Sequence, residues 1–453
     1  MVRFATAGET IAAQATPPGR GGIGVIRVSG PAVRAIAAAL FGEVPAPRVA
    51  EVKAFPDPSG QPIDHGIALF FPSPGSFTGE DVLELHGHGG PVVMDRLLRR
   101  MLGLGARLAR PGEFCERAFL NGKLDLAQAE AVADLIDSAS EEAARRAVRT
   151  LRGEFSKLVR DLVQDVIALR TRVEATLDFP DEEVGLFDHE VLETRLEGVA
   201  EKLGSVFLAA RRGQVLLDGL SVTIAGQPNV GKSSLLNQLL KRDRAIVDAR
   251  PGTTRDTLQE QVLIGGVPIS LIDTAGLRET EDSIEKEGIA RAQAAIDQAD
   301  VVLFVTEYGV ERQATEIELS ADPGLRERIT VIRNKIDLYS RAPSIIHGQY
   351  GTEICLSARY GLGIHLLEEH LKAQAGYQSA EEGGFTARRR HLEALSCAQA
   401  ALAAACAELC QTGALELVAE HLARVQRSLG TITGEFTSEE LLAEIFSSFC
   451  IGK

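Results

Sequence analysis

Apolar residues follow two rhythms along the chain. From residue 1 to about 118 they come in short runs, at 23–28, 67–71 and 82–85, broken by Gly and Pro, which predicts a mixed α/β unit. From about 124 to 212 the spacing lengthens. Leu151, Phe155, Leu158, Leu162, Val166, Leu169, Val173 and Leu177 recur every three or four residues and predict one long helix. A second stripe follows at Leu192, Leu196, Val199, Leu203 and Val206. Between about 216 and 376, strands such as 221–225 and 301–305 alternate with helical segments, the pattern of a parallel α/β unit. After Gly383-Gly384 the helical spacing returns through Leu392, Leu395, Leu402 and Leu409, then Leu415, Val418, Leu422, Val425 and Leu429. Helical runs on both sides of an α/β unit predict one helical domain split in sequence by an insertion; two separate helical domains are the alternative. Thr437 and Glu440 read as a capping box for a short helix through Leu441, Ile445 and Phe446.

A length of 453 residues, at roughly 150 per domain, predicts about three domains. No uncharged apolar stretch approaches the ~18–20 residues of a membrane span, and the N-terminal segment lacks the pattern of a signal peptide. Six cysteines lie far apart with no CxxC pair, which favours a reducing cytoplasm over a disulfide framework or a zinc site. Cys406 and Cys410 share a helical face and read as small core residues. A net charge of -15 argues against non-specific coating of nucleic acid, though not against a local basic groove. The clusters Arg145-Arg146-Arg149 and Arg388-Arg389-Arg390 are candidates for such a groove and read more simply as solvated helix faces.

Chemistry is concentrated in the middle third. Gly226-Gln227-Pro228-Asn229-Val230-Gly231-Lys232-Ser233 fits GxxxxGK[ST], follows an apolar strand and precedes a helix starting at Ser234. Its glycines let backbone N–H groups surround phosphates at a helix N-terminus; Lys232 is expected on the β- and γ-phosphates and Ser233 on Mg²⁺. Asp273-Thr274-Ala275-Gly276 ends the strand at 269–272, where a carboxylate stands near that metal. Asn334-Lys335-Ile336-Asp337 follows the strand at 329–332. Asp337 there accepts from guanine N1–H and its 2-amino group, which adenine cannot supply. Ser357-Ala358-Arg359 supplies the loop whose N–H reaches guanine O6. Four motifs in this order predict a GTPase rather than a kinase or an ATPase. Two features depart from the simplest pattern. Leu277 occupies the place of the water-orienting Gln of many small GTPases. The switch threonine Thr254 lies in a long loop, Asp248-Ala249-Arg250-Pro251-Gly252-Thr253-Thr254-Arg255-Asp256.

Together with Pro17-Pro18-Gly19-Arg20-Gly21-Gly22, Phe77-Thr78-Gly79-Glu80-Asp81, Arg110-Pro111-Gly112-Glu113-Phe114 and Phe449-Cys450-Ile451-Gly452-Lys453, these motifs closely resemble the MnmE (TrmE) family of tRNA-modification GTPases over essentially the whole chain. The resemblance implies an N-terminal folate-binding and dimerisation domain (1–118), a helical domain split between 119–215 and 379–453, and an inserted P-loop GTPase α/β domain (216–378). It implies that K⁺ replaces an arginine finger, held by Asn229 and by backbone oxygens of the 248–253 loop, at Asp248, Arg250 and Thr253. Arg255 is the next candidate for that role. Glu285 resembles the family's water-orienting glutamate and fills the place left by Leu277.

The resemblance also implies a homodimer and an FAD-dependent MnmG-type partner in a heterotetramer. Together they install a carboxymethylaminomethyl-type group at C5 of the wobble uridine of tRNA, from 5,10-methylenetetrahydrofolate or a related folate. Matching positions put Arg27, Glu84, Lys123 and Lys453 on the folate: Arg and Lys suit its carboxylates, and Glu suits its pterin N–H donors. His86-Gly87-His88-Gly89-Gly90 reads as a turn rather than a metal site. Cys450 stands where a prenylation cysteine would, but Lys453 is not an accepted terminal residue for that signal, so lipidation is rejected. Cys450 stays a candidate catalytic thiol, with redox sensitivity and simple packing as the other readings. Two other function classes share the nucleotide motifs: a ribosome-assembly GTPase switch and a GTP-driven scaffold. Folate binding by residues 1–118 separates the first reading from both.

Overall fold

The computed structural model describes residues 8–138, 140–178, 189–240, 259–273, 296, 299–310, 328–348, 351–375 and 384–452. They form two compact units. One comprises Met1–Ala133, Thr150–Leu203 and Ala394–Lys453; the other comprises Asp134–Arg149 and Gly204–Glu393.

The first unit begins with β1 (Ile11–Gln14), β2 (Gly21–Ser29), α1 (Val33–Phe41), β3 (Glu51–Pro56), β4 (Pro62–Phe71), β5 (Val82–Gly89), α2 (Pro91–Gly103) and β6 (Arg107–Leu108). These strands make one sheet in the order β3-β4-β5-β2-β1-β6, antiparallel except for the β1–β6 pair. Alternation decides the faces. Ile26, Val28, Phe55, Phe70 and Leu85 point to the side covered by Ile36 and Leu40 of α1 and by Met94, Leu97 and Met101 of α2. The glycine-rich segment at 86–89 belongs to strand β5, not to a turn. Its glycines answer a packing need: a Cβ on Gly87 would fall 2.6 Å from Asp64 Oδ2, and one on Gly89 2.7 Å from the Ile23 carbonyl oxygen.

Helices follow: α3 (Glu113–Leu120), α4 (Leu126–Asp137), α5 (Glu141–Leu151), α6 (Glu154–Asp178) and α7 (His189–Asp218). The 151–177 stripe is not one helix: Leu151 ends α5, Gly153 (φ 86°) turns the chain, and the positions from Phe155 to Leu177 lie on α6, which buries Phe155, Leu162, Val166, Leu169 and Val173 on one face and leaves Leu158 exposed.

The second sheet is built from β7 (Leu220–Gly226), β8 (Gln259–Ile264), β9 (Val267–Asp273), β10 (Val301–Glu307), β11 (Ile329–Asn334), β12 (Ser344–Gly348) and β13 (Gly351–Cys355), with helices α8 (Lys232–Leu240) and α9 (Ile364–Gln374). Its order is β12-β13-β11-β10-β7-β9-β8. The five inner strands are parallel, and β8 and β12 are antiparallel edges. Apolar clusters cover both faces, which is why β10 opens on an unbroken apolar run, Val301–Val305, and β11 is buried along its whole length.

The chain continues with α10 (Arg389–Gln411), α11 (Leu415–Thr433) and α12 (Glu439–Ser447). α11 packs along α6, and Arg170 reaches Gln426 between them at 3.1 Å. α10 is long and apolar enough to cross a bilayer by composition alone, but it turns Leu395, Ala398, Leu402, Ala405 and Leu409 inward at helical spacing. Cys406 and Cys410 flank that stripe rather than fill it. Cys406 is half-buried, and Cys410 is exposed and donates to Glu193 at 3.4 Å, so Cys410 is not a core residue. Arg145 and Arg146 pair with Glu141 and Glu142 one turn back, whereas Arg388 is tied to the buried Asp134 at 2.6 Å and is not a freely solvated cation. The N-cap of α12 is Ser438, one residue after the expected Thr437. Its hydroxyl accepts from the Leu441 N–H at 3.3 Å, and because Leu441 stands at the third helical position there is no reciprocal capping box.

Candidate functional site

The phosphate loop forms where β7 ends. Gly226 has φ 138°, and a Cβ there would run into the Val305 carbonyl oxygen of the neighbouring strand. Asn229 (φ 65°) and Gly231 (φ 102°) are both left-handed and curl the loop back to the start of α8; a Cβ on Gly231 would strike the Asn334 amide nitrogen. Side chains at either glycine would displace the neighbouring strand β10 or the Asn334 amide, so the loop could not keep this path. Lys232 is 7% exposed, and its ammonium donates to the carbonyls of Gly226 (2.9 Å) and Gln227 (2.7 Å), lying across the loop. Val230 is buried, while Asn229, Ser233 and Ser234 stand exposed around the helix N-terminus, whose dipole favours an anion. Asp273 is the register partner of Ile224 in the adjacent parallel strand, so its backbone ends beside the loop.

The Asn-Lys-x-Asp end of the candidate site is fastened by a buried asparagine. Asn334, 3% exposed, donates its amide to the Val230 carbonyl (2.8 Å) and accepts from the Ala358 N–H (2.9 Å). One side chain therefore ties the phosphate loop, the Asn-Lys-x-Asp loop and the Ser-Ala loop together. The Asp337 carboxylate accepts from the Ser357 hydroxyl at 2.5 Å. Lys335 is left-handed (φ 66°), and its ammonium pairs with Glu307 at 2.8 Å. Arg359 is exposed and lies over the Tyr360 ring. The expected site residues Asp248, Ala249, Arg250, Pro251, Gly252, Thr253, Thr254, Arg255, Thr274, Ala275, Gly276, Glu285 and Lys453 lie outside the described residues.

A second cluster forms on the first sheet. Arg27 and Glu84 are cross-strand partners, and Arg27 Nε donates to Glu84 Oε1 at 2.8 Å. The other carboxylate oxygen faces His86 Nε2 at 3.1 Å. Glu84 is thus not a bare acceptor; a carboxylate has about four acceptor positions, and two are engaged here. The Arg27 guanidinium lies 5.7 Å from the ring centres of both Phe77 and Phe114. Lys123 donates to the Pro74 carbonyl (3.0 Å), in the same loop as Phe77.

That loop is anchored by charge. Glu80 accepts from Arg117 (2.9 Å) and Ser29 (2.8 Å), and Arg117 continues to Glu113 (3.2 Å). Burial pushes the Glu113 carboxyl up, but Arg107, the Arg110 N–H and the nearby guanidinium charges outweigh it and bring the group down to about 2. The C-terminal tail joins the same region. Ile451 bridges Pro111, the Cys450 carbonyl accepts from the Gly112 N–H (3.3 Å), and Gly452 (φ 96°) approaches the Gln14 carbonyl too closely for any Cβ. Gln14 is the neighbour of Ala13, the register partner of Arg27. The Cys450 side chain is exposed. His86, Glu80 and Arg117 join this candidate cluster, and the sequence reading gave them no role in it. For His86 the signal was its place two residues from Glu84, on one face of a strand.

Residues 10–123 match the family model described as the GTP-binding protein TrmE N-terminus, and residues 126–450 match the MnmE helical domain, a span that encloses the P-loop unit. The tRNA modification GTPase MnmE of Methylococcus capsulatus is 53% identical over 447 residues, covering 98% of this chain and 99% of that protein. Its counterpart in Chromohalobacter salexigens is 54% identical over 449 residues, covering 98% of each. Among solved structures, an Era protein of Aquifex aeolicus bound to GDP·AlF4- is 25% identical, covers 40% of this chain and 66% of that one, and has a TM-score of 0.27, too low to carry an argument. More than half of the chain matches the helical-domain model, and the relatives are above 50% identical over nearly their full length, so the chain belongs to the MnmE family of tRNA-modification GTPases.

Proposed function

We propose that this GTPase hydrolyses Mg·GTP with the help of K⁺. With an FAD-dependent MnmG-type partner, it adds a carboxymethylaminomethyl-type group at C5 of the wobble uridine of tRNA. The one-carbon unit comes from 5,10-methylenetetrahydrofolate or a related folate, and the working form is a cytoplasmic homodimer. The observation that carries the tRNA chemistry is the Arg27–Glu84 pair on adjacent strands, flanked by Phe77, the Lys123 loop and the C-terminal tail. A guanidinium and lysines offer donors for folate carboxylates, Glu84 keeps free acceptor positions for pterin N–H groups, and aromatic rings stand beside them. Lys453 extends this set, and Cys450 is its candidate thiol.

In the GTPase unit, the loop from Asn229 to Ser234 holds the phosphates. Ser233, Thr254 and Asp273 offer the hard oxygen donors that Mg²⁺ prefers. Asn229, exposed on the loop, and backbone oxygens at Asp248, Arg250 and Thr253 suit K⁺. The two cations, when bound, supply positive charge against the phosphates. By motif, Ala249, Pro251, Gly252, Thr274, Ala275 and Gly276 are assigned to the switch segments, Glu285 to orienting water, and Arg255 to the alternative source of positive charge. Asn334, Lys335, Asp337, Ser357, Ala358 and Arg359 form the base pocket. The deciding experiment is mass spectrometry of tRNA wobble nucleosides from cells lacking this chain. The expected result is loss of the C5-modified uridines, and an unchanged nucleoside profile overturns the proposal in favour of a GTPase switch.

A further inference from the structure

The turn that leaves β10 touches the base loop at four points, and none of its residues belongs to a nucleotide motif. Glu307, the register partner of Asn334, accepts from the Lys335 ammonium at 2.8 Å, with both side chains about two-thirds buried. Tyr308 donates its backbone N–H to the Asn334 carbonyl at 2.8 Å. The Tyr308 and Tyr339 rings pack with centres 5.4 Å apart. Gly309 (φ 85°) lies so close that a Cβ would fall 3.0 Å from the Tyr339 ring.

The loop held in this way is strained at both ends. Lys335 (φ 66°) and Ser340 (φ 53°), two non-glycine residues in the left-handed region, bracket the short helical turn Ile336–Tyr339 that carries Asp337. Such backbone persists only where its surroundings over-determine it. Asn334 restrains the loop from the phosphate side. From the other side the contacts come from residues 307–309.

We propose that Glu307-Tyr308-Gly309 is a brace that sets guanine affinity, with Glu307 as the positioning residue for Lys335. Pinning the ammonium stops a side chain with four rotatable bonds from sampling other paths, and it lays the methylene stem along one wall of the pocket. The tyrosine pair and the Tyr308 N–H hold the backbone that presents Asp337. The proposal rests on the assignment of residues 334–337 to the base pocket.

The test is isothermal titration of the full chain with GDP and with inorganic tripolyphosphate, which has no base. Glu307→Ala is expected to raise the Kd for GDP about fivefold, the size of a partly exposed ion pair, while tripolyphosphate affinity stays level. Glu307→Gln, which keeps an acceptor but no charge, is expected to fall between, and it decides the matter if the alanine variant fails to fold. Gly309→Ala is expected to weaken GDP in the same base-dependent way. Unchanged GDP affinity in Glu307→Ala overturns the brace, as does an equal loss for GDP and tripolyphosphate. Asp337→Asn, run in parallel, separates the two ideas. If it too leaves GDP affinity unchanged, the base-pocket assignment itself fails; if it weakens GDP while Glu307→Ala does not, only the brace fails.

Discussion

Replacing Glu113 by glutamine is expected to loosen the helix that carries Phe114 beneath Arg27. The Glu113 side chain is fully buried, and it accepts from Arg107 twice (2.6 and 2.8 Å), from the Arg110 N–H (2.8 Å) and from Arg117 (3.2 Å). A carboxyl brought from 4.5 to about 2 by folding contributes ~1.4 kcal/mol for each pH unit of that drop, or about 3 kcal/mol at neutral pH. Removing one partner of a buried ion pair costs ~3–5 kcal/mol by an independent route, and the two figures agree. The sign follows from the depressed pKa. The stabilisation is complete above pH 4.5 and disappears as pH falls toward 2, so the deficit of Glu113→Gln should shrink over that window. The assay is a urea titration read by pulsed hydrogen exchange on peptides from 107–123, which reports this region without assuming all-or-none unfolding of a multidomain chain. A deficit under about 1 kcal/mol at pH 7, or one that does not change between pH 7 and pH 3, refutes the assignment of that stability to the buried charge network.

Three further outcomes are expected. GTP turnover measured in K⁺ and in Na⁺ at fixed ionic strength should favour K⁺, and Asn229→Ala should erase the difference; equal rates for the unmodified chain remove the cation and turn attention to Arg255. Asp337→Asn should weaken GTP and favour xanthosine triphosphate, whose base offers a carbonyl where guanine offers an amine; an unchanged preference in nucleotide competition sinks the base pocket. Glu285→Ala should bind GTP normally yet lose both hydrolysis and wobble-uridine modification. A variant that is hydrolytically dead but modifies tRNA at the full rate shows that the GTPase does not drive the chemistry.

What the sequence made legible follows from how local each signal is. The phosphate loop and the Asn-Lys-x-Asp loop are contiguous, so their spacing carried the geometry, down to the glycines at 226 and 231. Helix α6 was plain because seven apolar positions from Phe155 to Leu177 repeat at helical spacing; the eighth, Leu151, belongs to α5, since Gly153 (φ 86°) breaks the run. Other features hid because their cause is distant in the chain. Gly87 and Gly89 suggested a turn, whereas Asp64 and Ile23 on neighbouring strands demand small residues there. Arg27 and Glu84 stand 57 residues apart, and their contact depends on the β2–β5 register, which no local pattern specifies. The cap of α12 moved by one residue because Thr437 and Ser438 both have the right hydroxyl, and only backbone geometry chooses between them.

The way the C-terminal tail is used has a consequence for synthesis. Segments 204–393, which hold all seven strands of the GTPase sheet, are contiguous and complete once residue 393 has left the ribosome. The unit containing Arg27 and Glu84 is not. Its α4 packs on α12 through Leu126, Ala129, Leu442 and Phe446, and its first strand receives Gly452. The part made first therefore waits longest for its partners, exposing Leu126 and Ala129 while the GTPase unit is already able to close. Chains are built at roughly 5–20 residues per second, so that wait lasts on the order of tens of seconds, an interval in which the apolar face of α4 is open to aggregation.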